Sequence, residues 1–303
     1  MALRLLSLPL DRSRHAQGMA KLLGIISCHK EATHRQAIRE TWATEIPVGW
    51  ELKFFLGGSD WVPETDPAVL EFIGPPGTLA HMHPTKAAIS HPEKWALADD
   101  EILLDVPDSY LGTAWKGRAI QRYALEHNYD GLFLGMCDTF VFPKVLPLAC
   151  QGECAAQVFK ASPAKAYQVS GVDCPHGGFG YWLSKTTLEK LSKEPVYHYS
   201  EDQSTAFALH HAGVRITHSR LFSHNRILGG YMLIGSVSQH LSTKHDEFTP
   251  AQIRDTWRRS KEVFKKWPDW DGTCKKCGCS VMRQDIYGPR CLKCGDRFPM
   301  RAK

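Results

Sequence analysis

The sequence has no apolar run approaching the roughly 20 residues that a membrane-crossing helix needs, so no membrane partner is expected. It has no low-complexity tract and no internal repeat, which sets aside disordered tails, solenoids and propellers. Its 43% apolar and 23% charged residues instead allow an ordinary packed core. A signal peptide is not expected either. Residues 2–10 are apolar but stop at Asp11-Arg12-Ser13-Arg14 without a small-residue cleavage site, and read as part of an N-terminal extension, residues 1–20. Disulfide spacing is also missing: Cys28, Cys137, Cys150, Cys154 and Cys174 are scattered. Thiols kept reduced fit a cytoplasmic protein, in a bacterium or a virus-infected host cell.

Net charge of one sign is scarce until the end of the chain. Residues 1–250 carry 23 Lys and Arg against 26 Asp and Glu, whereas residues 251–303 carry 14 against 6. The basic tail is fit to attract a polyanion; a solvated basic helix is the plain alternative.

What is present first is an alternation of strand and helix patterns. Residues 21–27, 51–56, 101–106 and 131–135 are short apolar runs of strand type. Thr33-x-x-Gln36 reads as a capping box opening a helix through Arg39 and Trp42, and residues 114–127 have helical apolar spacing. Ser200-x-x-Gln203 and Thr249-x-x-Gln252 are two further capping boxes. This order implies a mainly parallel sheet covered by helices, with ligands beyond the C-terminal strand ends, at Ser27-Cys28 and Cys137-Asp138. The expected organisation is an α/β domain over residues 21–248, a basic linker helix over 249–272 and a mini-domain over 273–303.

That mini-domain holds Cys274-x-x-Cys277-Gly and Cys291-x-x-Cys294-Gly, thirteen residues apart. Two such turns point four thiolates at one ion and leave no open position, the pattern of a structural Zn²⁺ ribbon. So small a unit cannot bury enough core alone, and the metal would supply its folding energy. Cys279 is a spare that could replace Cys277.

The stretch from His34 to Trp42 resembles the R-x-x-I-R-x-T-W signature of glycosyltransferase family 31, the β-1,3-galactosyltransferase and fringe-like enzymes. Further blocks follow in the family's order. They are Phe54-Phe55-Leu56-Gly57, then Asp105-x-x-Asp108-Ser109-Tyr110 with Lys116, then Asp138-Thr139-Phe140-Val141, then residues 177–184 (GGFGYWLS) with Glu201-Asp202. The resemblance spans about residues 22–245. It implies a GT-A (Rossmann-like) fold, a UDP-sugar donor, Mn²⁺ (or Mg²⁺) and inversion at the anomeric carbon.

Several roles follow from the resemblance. Asp138 falls on the last Asp of the family's D-D-D motif, the direct metal ligand, while Met136 and Cys137 replace the first two carboxylates. That departure leaves the contacts to the donor's ribose and sugar, and metal dependence itself, open. Asp202, in the first turn of a helix whose dipole favours its ionised form, matches the catalytic base, with Glu201 beside it. The late histidine ligand is assigned to His240, ahead of His224 and His218. Arg35, Arg39 and Lys116 could neutralise donor phosphate, and Arg39 could equally brace its helix to Asp105. Gly178, Phe179 and Trp182 are pocket candidates, although Tyr181 and Trp182 also suit a sheet core.

The acceptor is left between two. A net-basic tail with Trp257, Trp267 and Trp270 favours a hydroxymethylated base in double-stranded DNA, as a viral or phage-type enzyme would modify. A glycan acceptor is the alternative. A non-catalytic nucleic-acid-binding protein on a degenerate transferase fold is a third reading, suggested by Met136 and Cys137.

Overall fold

A computed structural model of the chain describes residues 20–59, 97–108, 112–161, 171–219, 222–223, 233–234, 238–240, 249–266, 282–285 and 288–291. Its centre is β1 (Lys21–Ile26), buried along all but its first residue, as a strand must be when helices cover both faces. β1 pairs in parallel with β2 (Trp50–Ser59) on one side and β4 (Gly131–Met136) on the other. β3 (Glu101–Pro107) continues the parallel row beyond β2. Past β4 a single strand is reversed. β9 (Tyr181–Ser184) is antiparallel to both β4 and β6 (Cys154–Ala156), and β10 (Thr217–His218) closes the order β10-β6-β9-β4-β1-β2-β3. The result is the expected α/β fold, with a mainly parallel seven-stranded sheet.

Alternate residues of β1 feed two apolar layers. Leu22 and Ile26 meet α2 (Thr113–Glu126), α4 (Lys185–Leu191) and α5 (Glu201–His211) in a cluster with Ile120, Leu188 and Phe207. Leu23 and Ile25 meet the opposite layer, with Ile38 and Trp42 around α1 (Ala32–Arg39), Leu146 of α3 (Leu146–Ala149) and Ile253 of α6 (Pro250–Lys266). Each fully buried Leu or Ile stabilises the fold by about 2 kcal/mol.

Smaller sheets sit around this frame. β5 (Thr139–Val141) pairs antiparallel with β13 (Ser238–His240), which runs parallel to β11 (Phe222–Ser223). β7 (Val158–Lys160) pairs with β8 (Asp173–Pro175). β14 (Met282–Asp285) and β15 (Gly288–Cys291) form a hairpin, and β14 also pairs antiparallel with β12 (Leu233–Ile234).

The helix starts differ in detail from the sequence reading. Thr33 is not a cap: α1 begins at Ala32, after a 3₁₀ turn over His29–Glu31. The box is built five residues earlier, with Glu31 reaching back to the Cys28 backbone N–H at 2.9 Å. At α5 Ser200 makes no side-chain cap bond. At α6 the box is half formed, Gln252 Oε1 accepting from the Thr249 N–H at 2.7 Å.

The helix read as a linker is docked on α1. Ile253 is buried, Arg254 pairs with Glu40 at 2.7 Å, and Lys261 pairs with Glu45. Among the described residues no helix is long and apolar enough to cross a membrane.

Candidate active site

The C-terminal ends of β1 and β4 are level with one another, and β2 runs on beyond them to Ser59. Ser27 N–H donates to Phe55 O at 3.0 Å and Cys137 N–H to Ile26 O at 3.1 Å. The turn after β1 folds Glu31 back over this edge. Its Oε2 accepts from Cys28 N–H at 2.9 Å and Ser27 Oγ at 3.1 Å. Burial, then the Glu31 and Asp108 charges, push the Cys28 thiol up to about 12. Burial and Glu31 raise Cys137 as well. Both thiols are therefore protonated at neutral pH and poor nucleophiles.

Beside them Asp108 is a hub. Its Oδ2 accepts both the backbone N–H and Nδ1 of His29, each at 2.8 Å, so that ring carries its proton on Nδ1. Its Oδ1 accepts from Gly57 N–H at 2.9 Å and from Lys116 Nζ. Burial alone would raise this carboxyl, but Lys116 and His29 outweigh it and hold it below the usual carboxylate range. Lys116 also donates to Ser27 O at 2.7 Å.

Arg35 is similarly committed, to Glu101 at 2.7 Å, Ser27 Oγ at 3.0 Å and Cys28 O at 2.6 Å. Arg39 forks onto Asp100 at 2.6 and 2.8 Å and reaches Glu101 at 2.7 Å, so it braces to those acids rather than to Asp105. All three cations considered for donor phosphate thus serve protein carboxylates and build the floor under the strand ends.

Asp138 occupies the turn between β4 and β5 and is partly exposed. Next to it Thr139 Oγ1 bridges two segments, accepting from Met136 N–H at 3.1 Å and donating to Gly178 O at 3.1 Å. The adjoining Gly177 N–H points to Asp202 Oδ2 at 3.4 Å. Gly180, at φ 70°, then turns the chain into β9, a conformation that favours glycine. On the other side of Thr139, β13 places His240 directly opposite it in the β5–β13 pairing. One linked patch therefore holds Asp138, Gly178, Asp202 and the strand that carries His240.

Asp202 is partly buried in the first turn of α5. Its Oδ1 accepts from Ser200 Oγ at 2.6 Å and Gln203 N–H at 2.8 Å, leaving Oδ2 with the one long contact to Gly177 among those just described. Burial raises its pKa, against the pull of these hydrogen bonds. A more basic carboxylate is a better proton acceptor near neutrality.

Three further residues of the sequence reading lie elsewhere. Glu201 faces the interior at 2% exposure, accepting from Tyr181 Oη and from Thr205 Oγ1 at 3.0 Å. It supports the helix that carries Asp202. Trp182 is buried at the opposite end of the sheet, donating to Gly152 O at 3.1 Å and lying 5.8 Å from Trp50, because β9 runs antiparallel. It is core, not a sugar platform. Phe179 is fully buried and stacks on His176 at 3.6 Å.

The sequence reading missed Glu31 and His29. A signal was present for the first, since Cys28-x-x-Glu31 has capping-box spacing with cysteine at the cap. Of the expected zinc ligands, Cys291 ends β15, while Cys274, Cys277 and Cys294 lie outside the described residues, as do His224 and the Trp267 and Trp270 of the tail. His218, in β10 at the edge of the seven-stranded sheet, accepts from Val158 N–H on Nδ1 at 3.3 Å. Among the described residues no group of three or more His, Cys, Asp or Glu is placed to hold a metal.

No protein-family model matches the chain, and no curated protein matches it. Among solved structures, two of the glycosyltransferase GlyE from Streptococcus pneumoniae TIGR4 are distantly similar. The apo form matches with a TM-score of 0.35 at 10% identity, over 80% of this chain and 64% of that one. The second matches at 0.36 and 9%, over 80% and 65%. The chain therefore spans slightly less than two thirds of GlyE, and a likeness this distant assigns no function.

Proposed function

We propose that the chain is an inverting glycosyltransferase that moves a sugar from a UDP-sugar to an acceptor hydroxyl. One observation carries the reading. Thr139 and Gly177 tie Asp138, the Gly177-Gly178 turn, Asp202 and the His240 strand into one patch at the C-terminal edge of a parallel sheet, where such sheets take ligands. Asp202 is the base: its raised basicity and lightly engaged Oδ2 suit it to take the acceptor proton as the hydroxyl attacks. Glu201 and Ser200 hold it in place.

Asp138, a partly exposed carboxylate, and His240, on the strand paired with β5, would be two protein ligands of a divalent cation; Mg²⁺ or Mn²⁺ sites commonly take the rest from diphosphate and water. Bound there, the cation would neutralise the leaving diphosphate. At the other end of the chain, the β14–β15 hairpin spans the gap between the two C-x-x-C turns, a shape suited to four thiolates closing on a structural Zn²⁺.

The acceptor we favour is a hydroxymethylated base in double-stranded DNA. Residues 265–303 hold ten Lys and Arg against four Asp and Glu, which suits phosphate contacts. A glycan is the second reading, favoured by the pairing of Arg254, Arg258, Arg259 and Lys261 with carboxylates on α1, its following turn or α6 itself. UDP release from a panel of UDP-sugars with Mn²⁺, alone and with hydroxymethylated DNA, unmodified DNA or saccharides, tests both. Release stimulated by hydroxymethylated DNA supports the first and by saccharide the second. No release under any condition sinks the transferase reading.

A further inference from the structure

The loop after β4 reads Met136-Cys137-Asp138, with one carboxylate where the sequence resemblance leads one to expect three. A second carboxylate reaches the same loop from another strand. β1 and β4 are parallel neighbours with Ile26 opposite Met136, so the turn after β1 and the turn after β4 open on one edge of the sheet. Glu31 stands in the first turn and takes Cys28 N–H and Ser27 Oγ on Oε2, while Cys137, the residue before Asp138, donates its N–H to Ile26 O at the root of that turn at 3.1 Å. Resting on the glycosyltransferase reading, we propose that Glu31 binds a ribose hydroxyl of the nucleotide donor, supplying from the turn after β1 a carboxylate that Met136 and Cys137 do not.

The chemistry suits that role. An ionised carboxylate has about four acceptor positions, and the donors Cys28 N–H and Ser27 Oγ leave room for another. Glu31 is partly exposed, so a ligand hydroxyl can reach it. Arg35 is held by Glu101, Ser27 and the Cys28 carbonyl, and Lys116 by Asp108 and the Ser27 carbonyl, so both nearby cations are directed elsewhere. A neutral hydroxyl donating to a charged acceptor makes a stronger bond than a neutral pair would.

Glu31 also caps its own turn, so the test must separate binding from folding. Isothermal titration calorimetry on the full chain compares UDP, 2′-deoxy-UDP and 3′-deoxy-UDP for wild type, Glu31→Gln, and Glu31→Gln with Cys137→Asp. The wild type should prefer UDP over at least one deoxy analogue by about tenfold. Glu31→Gln should lose that preference, and the second substitution should restore it by returning a carboxylate to the loop. A damaged turn would not regain discrimination between ribose and deoxyribose. The proposal is overturned if the wild type binds UDP without preference, if Glu31→Gln keeps the preference, or if the double variant does not recover it. A wild type that binds no UDP at all overturns the donor reading itself, and this inference with it.

Discussion

Glu201 lies flat against Gly117: a Cβ on that glycine would stand 2.6 Å from Glu201 Cγ. The glutamate cannot swing aside without leaving Tyr181 and Thr205. Gly117→Ala should therefore destabilise the protein although alanine is the better helix former. The gain of about 1 kcal/mol in propensity is set against about 1–3 kcal/mol of overpacking. Because the displaced residue adjoins Asp202, turnover should fall further than the urea midpoint suggests. Unchanged turnover with a lowered midpoint would separate the helix contact from the site.

Glu201 should also leave a mark on the pH dependence of stability. Burial first, then the Asp202 charge, raise its folded pKa from 4.5 to about 7, against the hydrogen bonds from Tyr181 and Thr205. Between those values the native state holds a proton that the unfolded chain has released, so stability falls as pH rises. Its contribution is complete below about pH 4.5 and lost as pH passes 7, by roughly 2–4 kcal/mol in all. Urea unfolding of wild type and Glu201→Gln from pH 4 to 8 should show the wild type losing ground to the variant across that window. Parallel curves would remove the shift.

Asp202→Asn should abolish transfer while leaving UDP affinity nearly unchanged, since the amide keeps the shape but cannot accept the acceptor proton. A loss in kcat of about 10²-fold or more is expected. Asp138→Asn should instead weaken Mn²⁺-dependent UDP binding. A fully active Asp202→Asn enzyme would refute the base assignment.

Part of the basic tail is already engaged within the protein. Arg258 and Arg259 pair with Asp255 and Glu262 on their own helix. Arg258→Ala with Arg259→Ala should leave the salt dependence of duplex DNA binding almost unchanged. Lys275→Gln, Lys276→Gln and Lys293→Gln together should shallow it, by about 0.9 in log–log slope for each phosphate no longer neutralised. A glycan enzyme would bind duplex DNA negligibly at physiological salt in every variant.

Much of the fold was legible because buried parallel strands leave a simple mark. The apolar runs at residues 21–27 and 131–135 became β1 and β4, and α2 lies within one residue of its expected span. The convergence of Asp138 and Asp202 was foreseen only through the family resemblance, since nothing local links residues so far apart in the chain. What failed depended on direction and partner choice. Trp182 was left between sheet core and sugar platform because sequence does not disclose that β9 is reversed. Arg39 was offered Asp105, yet strand pairing brings Asp100 and Glu101 within its reach. Thr33 lost its capping role because Glu31 satisfies an earlier backbone N–H.

The β12–β14 pairing has a consequence for biosynthesis. Leu233 and Ile234 meet their partner strand only once residues 282–285 have left the ribosome, some fifty residues later. β12 precedes β13 by only a few residues, so the neighbourhood of His240 is completed among the last steps of folding, after the central sheet can already have collapsed. A cassette swapped in for the C-terminal hairpin would have to offer the same strand edge, or leave that corner of the protein unfinished.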